Sequence, residues 1–521
     1  MRPPALFDAA CYSDPAARIE LIETHISWVF LAGEYAYKVK KPVKLSFLDF
    51  SDLAARRSFC DEELRLNRRT APELYLAVVP ISSTPSGLRV GAESNIVEWA
   101  VKMRRFSQDA LGEHLARLDQ LDYRRVDALA AVTTAFHVAI PRANKDERFG
   151  ECDAVIGPAQ ANFTDILSRT LDSATVARVQ ALREWNLGES SRLRETFTAR
   201  KHEGFVRECH GDLHLNNIVF EKERPLLFDC IEFSPELRWI DVMSDVAFLV
   251  MDMRRLGREH AAFRFLNGYL ESTGDYSGLR VLDYYVAYRA LVRTKVALIR
   301  AAEQAEHADR PARPSAEVES YLRIAKESGR RGQPALVIMH GLAGSGKTTV
   351  AQVLLEQSGA VRVRSDVERK RLHGLAARAR THSGPYEGIY APDVSRATYD
   401  CLKAAVRDVI ESGRSVIVDA AFLWRSLRQE FGALARELGV PFMIVSCRAS
   451  IEELKRRVAA REARMEDASE AGLAVLEDQI VTEESLALDE LMHAIPIDTE
   501  LEQDARWLLI QDVAERMIGK P

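Results

Sequence analysis

Two groups of residues in this chain have the types and spacing that phosphoryl transfer needs. In HGDLHLNN (210–217), Asp212 stands five residues before Asn217, just ahead of the apolar run IVF, and Asp229 ends PLLFD twelve residues later. The reaction needs a base on an acceptor hydroxyl and two oxygen ligands for Mg²⁺. Asp212 as base, with Asn217 and Asp229 as ligands, supplies that set at the spacing of a loop followed by a β-hairpin. Far downstream, Gly341-Leu342-Ala343-Gly344-Ser345-Gly346-Lys347-Thr348 satisfies G-x-x-x-x-G-K-[ST] between an apolar run and an amphipathic one. Glycines at 341, 344 and 346 let main-chain N–H groups, including that of Ser345, wrap phosphates. Lys347 reaches the β and γ phosphates of ATP, the Thr348 hydroxyl ligates Mg²⁺, and Thr349 extends the loop's binding set.

Further residues fall in place around this second group. Asp366 ends AVRVRSD, with Arg369 three residues on. A helix starting at Asp366 would put both on one face toward the loop, Asp366 to take the acceptor's proton and Arg369 to hold the acceptor's own phosphate. An N-cap aspartate and a solvated arginine are the plainer alternative. Asp419 closes SVIVDAA at a strand's carboxyl end, where it either orients Mg²⁺ or caps. Arg457 and Arg461 lie at i, i+4 in LKRRVAAREAR, which suits a lid of guanidinium groups over transferring phosphates and equally an ordinary charged helix face.

The elements that must carry these residues follow from periodicity. ISWVFLAGEYAYKVK (26–40) reads as a hairpin turning at Ala32-Gly33-Glu34. Alternation puts Ala36, Lys38 and Lys40 on one face, and Ala36-Tyr37-Lys38 resembles the A-x-K of kinase-like strands, which implies Lys38 as the phosphate-facing lysine with Lys40 the fallback. Ser51 is the expected N-cap of the helix that follows, and Glu63, or Glu62, in that helix is the expected ion-pair partner of the lysine. Strands LYLAVVPI and NIVEWAVKM complete a sheet, and long amphipathic stretches such as LARLDQLDYRRVDALAAVTTAFHV then dominate. After Pro334, strands and helices alternate, as a parallel sheet with crossover helices requires.

Composition narrows the class. Over 521 residues the chain is 47% hydrophobic and 28% charged with net charge −6, so it has ample core and no general pull toward nucleic acid or anionic membrane. Its seven cysteines form no CxxC pair, and no apolar run is long enough to span a bilayer; reduced thiols in a cytoplasmic protein without a membrane segment are expected.

Residues 334–520, through GLAGSGKTT, SDVER, VIVDA and RRVAAR, resemble the small P-loop kinases of the gluconate kinase, zeta-toxin and polynucleotide 5′-kinase group. The resemblance implies that Asp366 is the acceptor-activating base and that Arg457 and Arg461 belong to a lid. Residues 25–300 resemble aminoglycoside phosphotransferases and choline-kinase-like enzymes, whose loop is HGDxHxxN; Gly211 and His214 separate it from the HRDxKxxN of protein kinases. Asp245, in WIDVMSDVAFL, is then the aspartate that buttresses the catalytic loop. DCIEF replaces DFG, with Glu232 either a further metal contact or a turn cap. The whole chain is similar to fused proteins described as bifunctional aminoglycoside phosphotransferase-like and ATP-binding proteins.

The resemblance implies an α+β bilobal kinase-like domain followed by an α/β P-loop domain with a parallel sheet. The expected division is 1–106 and 107–325 for the two lobes, 326–333 for a linker and 334–521 for the P-loop domain. The expected activity is ATP-dependent, Mg²⁺-requiring transfer to hydroxyls of small-molecule acceptors. The alternatives are a regulatory or toxin-like protein with one non-catalytic module, or a P-loop domain that phosphorylates polynucleotide 5′ ends.

Overall fold

A computed structural model describes residues 6–12, 18–45, 48–170, 172–305, 316–330, 332–377, 379–381, 386–464 and 471–517. Packing divides the chain into two compact units, Met1–Val179 with Ser190–Leu256, and Gln180–Glu189 with Gly257–Pro521. This differs from the division read along the sequence: the helices after residue 257 group with the parallel sheet.

The first unit opens with a six-stranded antiparallel sheet built from β1 (Ile19–Glu23), β2 (Ser27–Ala32), β3 (Tyr35–Lys40), then helix α1 (Leu53–Asn67), then β4 (Tyr75–Thr84), β5 (Gly87–Val90) and β6 (Ile96–Arg104). The strand order is β1-β2-β3-β6-β4-β5. β2 and β3 pair from Ala32↔Tyr35 outward around Gly33, whose φ of +59° a side chain would resist. Alternation sends Phe30, Tyr37 and Val39 into one buried cluster, and Leu31, Ala36 and Val101 into another that also holds Cys60 of α1. Lys38 and Lys40 therefore face α1. That helix is capped by Asp52 and not by Ser51: the Asp52 carboxylate accepts from Ala55 N at 2.9 Å, while Ser51 donates to Asp49.

Helices follow. The stretch expected to run unbroken past residue 115 is interrupted, because Asp122 caps α2 (Tyr123–Ala139) and Asp119 takes a left-handed φ of 60° just before it. After α3 (Cys152–Arg169), α4 (Ser173–Arg192) and α5 (Arg194–His202) come short strands β7 (Val206–Glu208), β8 (Ile218–Glu221), β9 (Arg224–Leu227) and β10 (Trp239–Asp241), then α6 (Val242–Arg255). β8 and β9 form a hairpin in the register Ile218↔Leu227, and β10 pairs with β7. In α6 every residue from Val242 to Met253 is buried, Asp245 included.

The second unit contains α7 (Glu259–Thr273), α8 (Leu279–Ala305) and α9 (Ala316–Ser328) ahead of alternating elements. These are β11 (Leu336–His340), α10 (Lys347–Ser358), β12 (Val361–Arg364), α11 (Ser365–Leu372), α12 (Pro392–Glu411), β13 (Val416–Asp419), α13 (Arg425–Glu437), β14 (Phe442–Arg448), α14 (Ile451–Arg464), α15 (Leu473–Thr482), β15 (Ala494–Asp498) and α16 (Gln503–Met517). The five strands are all parallel in the order β12-β13-β11-β14-β15. β11 and β13 are buried throughout, as strands covered on both faces must be, which is why their sequences are continuous apolar runs. Among the described residues no helix is long and apolar enough to cross a membrane.

Candidate active sites

In the first unit the segment around Asp229 and Glu232 meets the sheet lysines Lys38 and Lys40. The β8–β9 hairpin sets Asn217 and Asp229 beside each other at its open end, where Phe228 N donates to Asn217 O at 3.0 Å. Asn217 Nδ2 donates to Asp212 O (2.9 Å) and Asp212 Oδ2 (3.3 Å), which fixes the amide and leaves its oxygen as the acceptor side. Asp229 has a φ of +64°, a strained region for a residue with a side chain, and its N–H donates to the Tyr75 hydroxyl at 3.1 Å. Its carboxylate pairs with Lys38 Nζ, which also reaches Glu63 Oε1 at 2.9 Å. Asp245, fully buried on α6, accepts from His210 N (2.8 Å) and Gly211 N (3.1 Å), so it holds the main chain of the 210–217 loop. Gly211 is required there: its φ is +86°, and a β-carbon would lie 2.8 Å from Leu237 O.

Two features here escaped the sequence. Glu63 binds both lysines, with Lys40 Nζ on its Oε2 at 2.8 Å, while Glu62 turns away to Arg65 and Arg238. Glu232 neither caps the turn nor points at open space; it is buried and paired with Lys40. Burial penalises all of these charges, yet the neighbouring carboxylates hold Lys38 and Lys40 above the usual lysine range. Shared face placement flagged Lys40, but its second partner, Glu232, lies 192 residues away and no spacing rule reaches that far.

In the second unit the loop between β11 and α10 has left-handed glycines at 341, 344 and 346, with φ of 134°, 82° and 85°. A β-carbon at Gly341 would sit 2.3 Å from Cys447 O. Gly341→Ala is therefore expected to weaken nucleotide binding roughly tenfold or more, the equivalent of 1–3 kcal/mol of backbone strain, in a titration with a fluorescent ADP analogue. Lys347 Nζ donates to Gly341 O (2.7 Å) and Leu342 O (2.8 Å). Burial holds its ammonium below the usual lysine range, Arg461 adding to this and Asp419 opposing it, so an incoming anion would be strongly favoured.

Lys347, Thr348 and Thr349 line a cavity of about 990 Å³ together with Asp366 and Asp419 from the sheet's carboxyl edge and Arg457 and Arg461 from α14. Gly344 and Gly346 line it as well; Gly341 and Ser345 form the loop beneath. α11 starts at Ser365, one residue before the expected start. Arg369 lines the cavity too, and its guanidinium also donates to Ile389 O and Ser395 Oγ, both at 3.1 Å, and lies over the Tyr390 ring at 4.9 Å. Arg457 is tied to Glu453, Gly344 O and Thr499, and Arg461 to Ala471 O. Asp419 Oδ2 is buried without a hydrogen bond, which together with the hard oxygens of Thr348 and Asp366 in one cavity fits a small divalent cation. Arg364, whose Nε lies 3.7 Å from Asp419 Oδ2, is a cavity residue that the sequence reading missed, because nothing local to it signals a partner on β13.

Just under the loop, His340 Nδ1 meets Ser446 Oγ at 3.1 Å, while its Nε2 has no hydrogen bond and lies 3.6 Å from Glu483. Burial, with Arg428 and Lys347 nearby, pushes this imidazole down to about 4. A base depressed in the folded state favours unfolding wherever the unfolded chain binds the proton and the folded one does not. The second unit should thus lose about 1.4 kcal/mol of stability per pH unit as pH falls from roughly 6.5 toward 4. Denaturant unfolding at pH 7 and pH 5 should show this slope flattened in His340→Asn.

Comparison with known proteins places two family models on the chain. The model of the phosphotransferase enzyme family matches residues 100–282, and that of an AAA domain matches residues 336–485. Over 469 residues the chain is 30% identical to the uncharacterized protein Rv2004c of Mycobacterium tuberculosis, covering 89% of this chain and 91% of that protein. The chain belongs to the same family as Rv2004c. An uncharacterized Mycobacterium bovis protein, Mb2027c, matches to the same extent. A choline kinase from Cryptosporidium parvum aligns with 60% of this chain and 89% of its own at 12% identity and a TM-score of 0.37. A gluconokinase from Sinorhizobium meliloti aligns with 36% and 96% at 19% identity and a TM-score of 0.26. This chain thus carries a phosphotransferase domain followed by a P-loop kinase domain.

Proposed function

We propose that this protein transfers the γ-phosphate of ATP at two separate sites, each to a hydroxyl of a small-molecule acceptor. The observation that carries the reading is the cavity of the second unit, where a phosphate-wrapping loop and its lysine open onto the same space as the carboxylates of Asp366 and Asp419. About 990 Å³ is room for a donor and an acceptor together. The first unit supports it with Asn217 bonded to Asp212, and Lys38 paired with both Glu63 and Asp229.

At the first site Asp212 takes the acceptor's proton as its oxygen attacks phosphorus, the bond from phosphorus to the bridging β–γ oxygen breaks, and ADP leaves. Lys38, held by Glu63, grips the donor's phosphates. Asn217 and Asp229 would hold Mg²⁺, which neutralises phosphate charge when bound. At the second site Asp366 is the base, the glycine loop and Lys347 hold the donor, Arg457 and Arg461 lie over the phosphates, and Thr348 and Asp419 would hold the metal. None of the seven cysteines is in a disulfide, which supports a reducing, cytoplasmic setting.

The test is a labelled γ-phosphate screen of the full-length chain against metabolite, aminoglycoside and oligonucleotide pools, repeated with Asp212→Ala and Lys347→Ala. Two products are expected, each lost in one variant only. Products indifferent to one of the variants would make that module a binder, and labelled oligonucleotide 5′ ends would reassign the second site to nucleic acid.

A further inference from the structure

Helix α7 and the turn after it fall within the residues that match the phosphotransferase enzyme family, yet they pack into the second unit. Besides α10 and α12, they touch the edge strand β12 and helix α11, the two elements that carry Arg364, Asp366 and Arg369. Parallel sheets leave unpaired main-chain groups along their edges. On β12 the Asn267 side chain takes the place of a missing neighbour: its Oδ1 accepts from Arg362 N at 2.8 Å and its Nδ2 donates to Ala360 O at 3.3 Å. The Tyr276 hydroxyl donates to Glu368 Oε1 of α11 at 2.9 Å in a buried contact, and Arg371 donates to the main-chain oxygens of Glu271 and Ser272. Gly274 and Gly359 sit where a β-carbon would strike Arg371 and Phe263, each at 2.9 Å, so the approach is close on both sides.

One of these contacts reaches the cavity. The Glu271 carboxylate bridges Arg362 NH2 (3.0 Å) and Arg364 NH1 (3.1 Å). Burial alone would raise the Glu271 carboxyl, but the two arginines outweigh it and hold it below the usual range, so it is charged at neutral pH. Arg364 thereby stands between two carboxylates. It is bonded to Glu271, and its Nε stops 3.7 Å from Asp419 Oδ2, outside hydrogen-bond range. Loss of the Glu271 carboxylate would weaken the hold on the guanidinium at the end away from Asp419, so that Arg364 could close on Asp419 and occupy the oxygen that a divalent cation needs.

We propose that Glu271 is a positioning residue of the P-loop site, which restrains Arg364 so that Asp419 keeps an oxygen open to a divalent cation. The proposal rests on the nucleotide-site reading of the second unit. It makes the end of the phosphotransferase-family segment a working part of the P-loop kinase, and a fragment cut at residue 330 would lack it. Partners beyond a metal's ligands commonly change metal affinity by about 10- to 100-fold, and Glu271 acts one residue further out, so the lower figure applies.

The experiment uses the full-length chain with Asp229→Ala, which removes a metal ligand of the other site, and follows Mn²⁺ binding in the presence of ADP by electron paramagnetic resonance. Glu271→Gln, which keeps the shape and loses the charge, is expected to weaken Mn²⁺ binding about tenfold with ADP affinity in the absence of metal unchanged. Adding Arg364→Gln to it should restore the affinity, because the competing cation is gone. Arg364→Gln alone leaves Glu271 in place and should bind Mn²⁺ at least as tightly as the parent. An unchanged Mn²⁺ affinity in Glu271→Gln, or weaker binding in Arg364→Gln, overturns the proposal. Failure of the parent itself to bind Mn²⁺ with ADP would instead remove the nucleotide-site reading beneath it.

Discussion

Replacing Asp212 by asparagine is expected to lower phosphoryl transfer at the first site by about a thousandfold while leaving donor affinity nearly unchanged, the range expected when a positioned general base is lost. Asparagine has the shape of aspartate, so the contacts to Asn217 Nδ2 and His214 Nε2, both at 3.3 Å, are disturbed little. What goes is the ability to accept the hydroxyl proton, which matters only as the new bond forms. An interaction made only in the transition state lowers kcat and kcat/KM together. Initial rates at varied ATP with any acceptor found for this site give both quantities, and a raised KM for ATP at constant kcat would contradict the role.

The second large effect belongs to Lys347. Truncation to alanine should reduce turnover at the P-loop site by roughly 100- to 1000-fold and weaken donor binding with it, since this one ammonium faces the phosphates both before and during transfer. Lys347→Arg should rescue poorly, because a broad planar guanidinium does not replace a compact ammonium that donates to Gly341 O and Leu342 O at 2.7 and 2.8 Å. Because the first site shares none of these residues, its product should form at the parent rate in both variants. Thermal unfolding would check that the loss is not collapse of the fold.

How far the sequence could take this reading depends on the range of the interactions involved. The loop at 210–217 with Asp229, and the glycine loop at 341–348, are legible because their working geometry is made within one hairpin or one strand–loop–helix turn. Lys38 and Glu63 were also within reach, since alternation on β3 and one face of α1 nearly determine that they meet. Glu232 was not: its pairing with Lys40 depends on how the DCIEF turn comes back beneath the sheet. Arg369 shows a different limit. Spacing put it on the correct face of α11, but the segment at 389–395 claims its guanidinium. The partition at Leu256 was hidden for a similar reason, because the apolar pattern of α7 states that one face is buried and does not state against what.

The most direct test of two independent triphosphate sites is to count them by isothermal titration of the full-length protein with a non-hydrolysable ATP analogue and Mg²⁺. The stoichiometry should be two in the parent, one in Lys38→Ala and one in Lys347→Ala, with none left when both lysines are replaced. A single site in the parent, or two sites remaining in either single variant, would contradict the account.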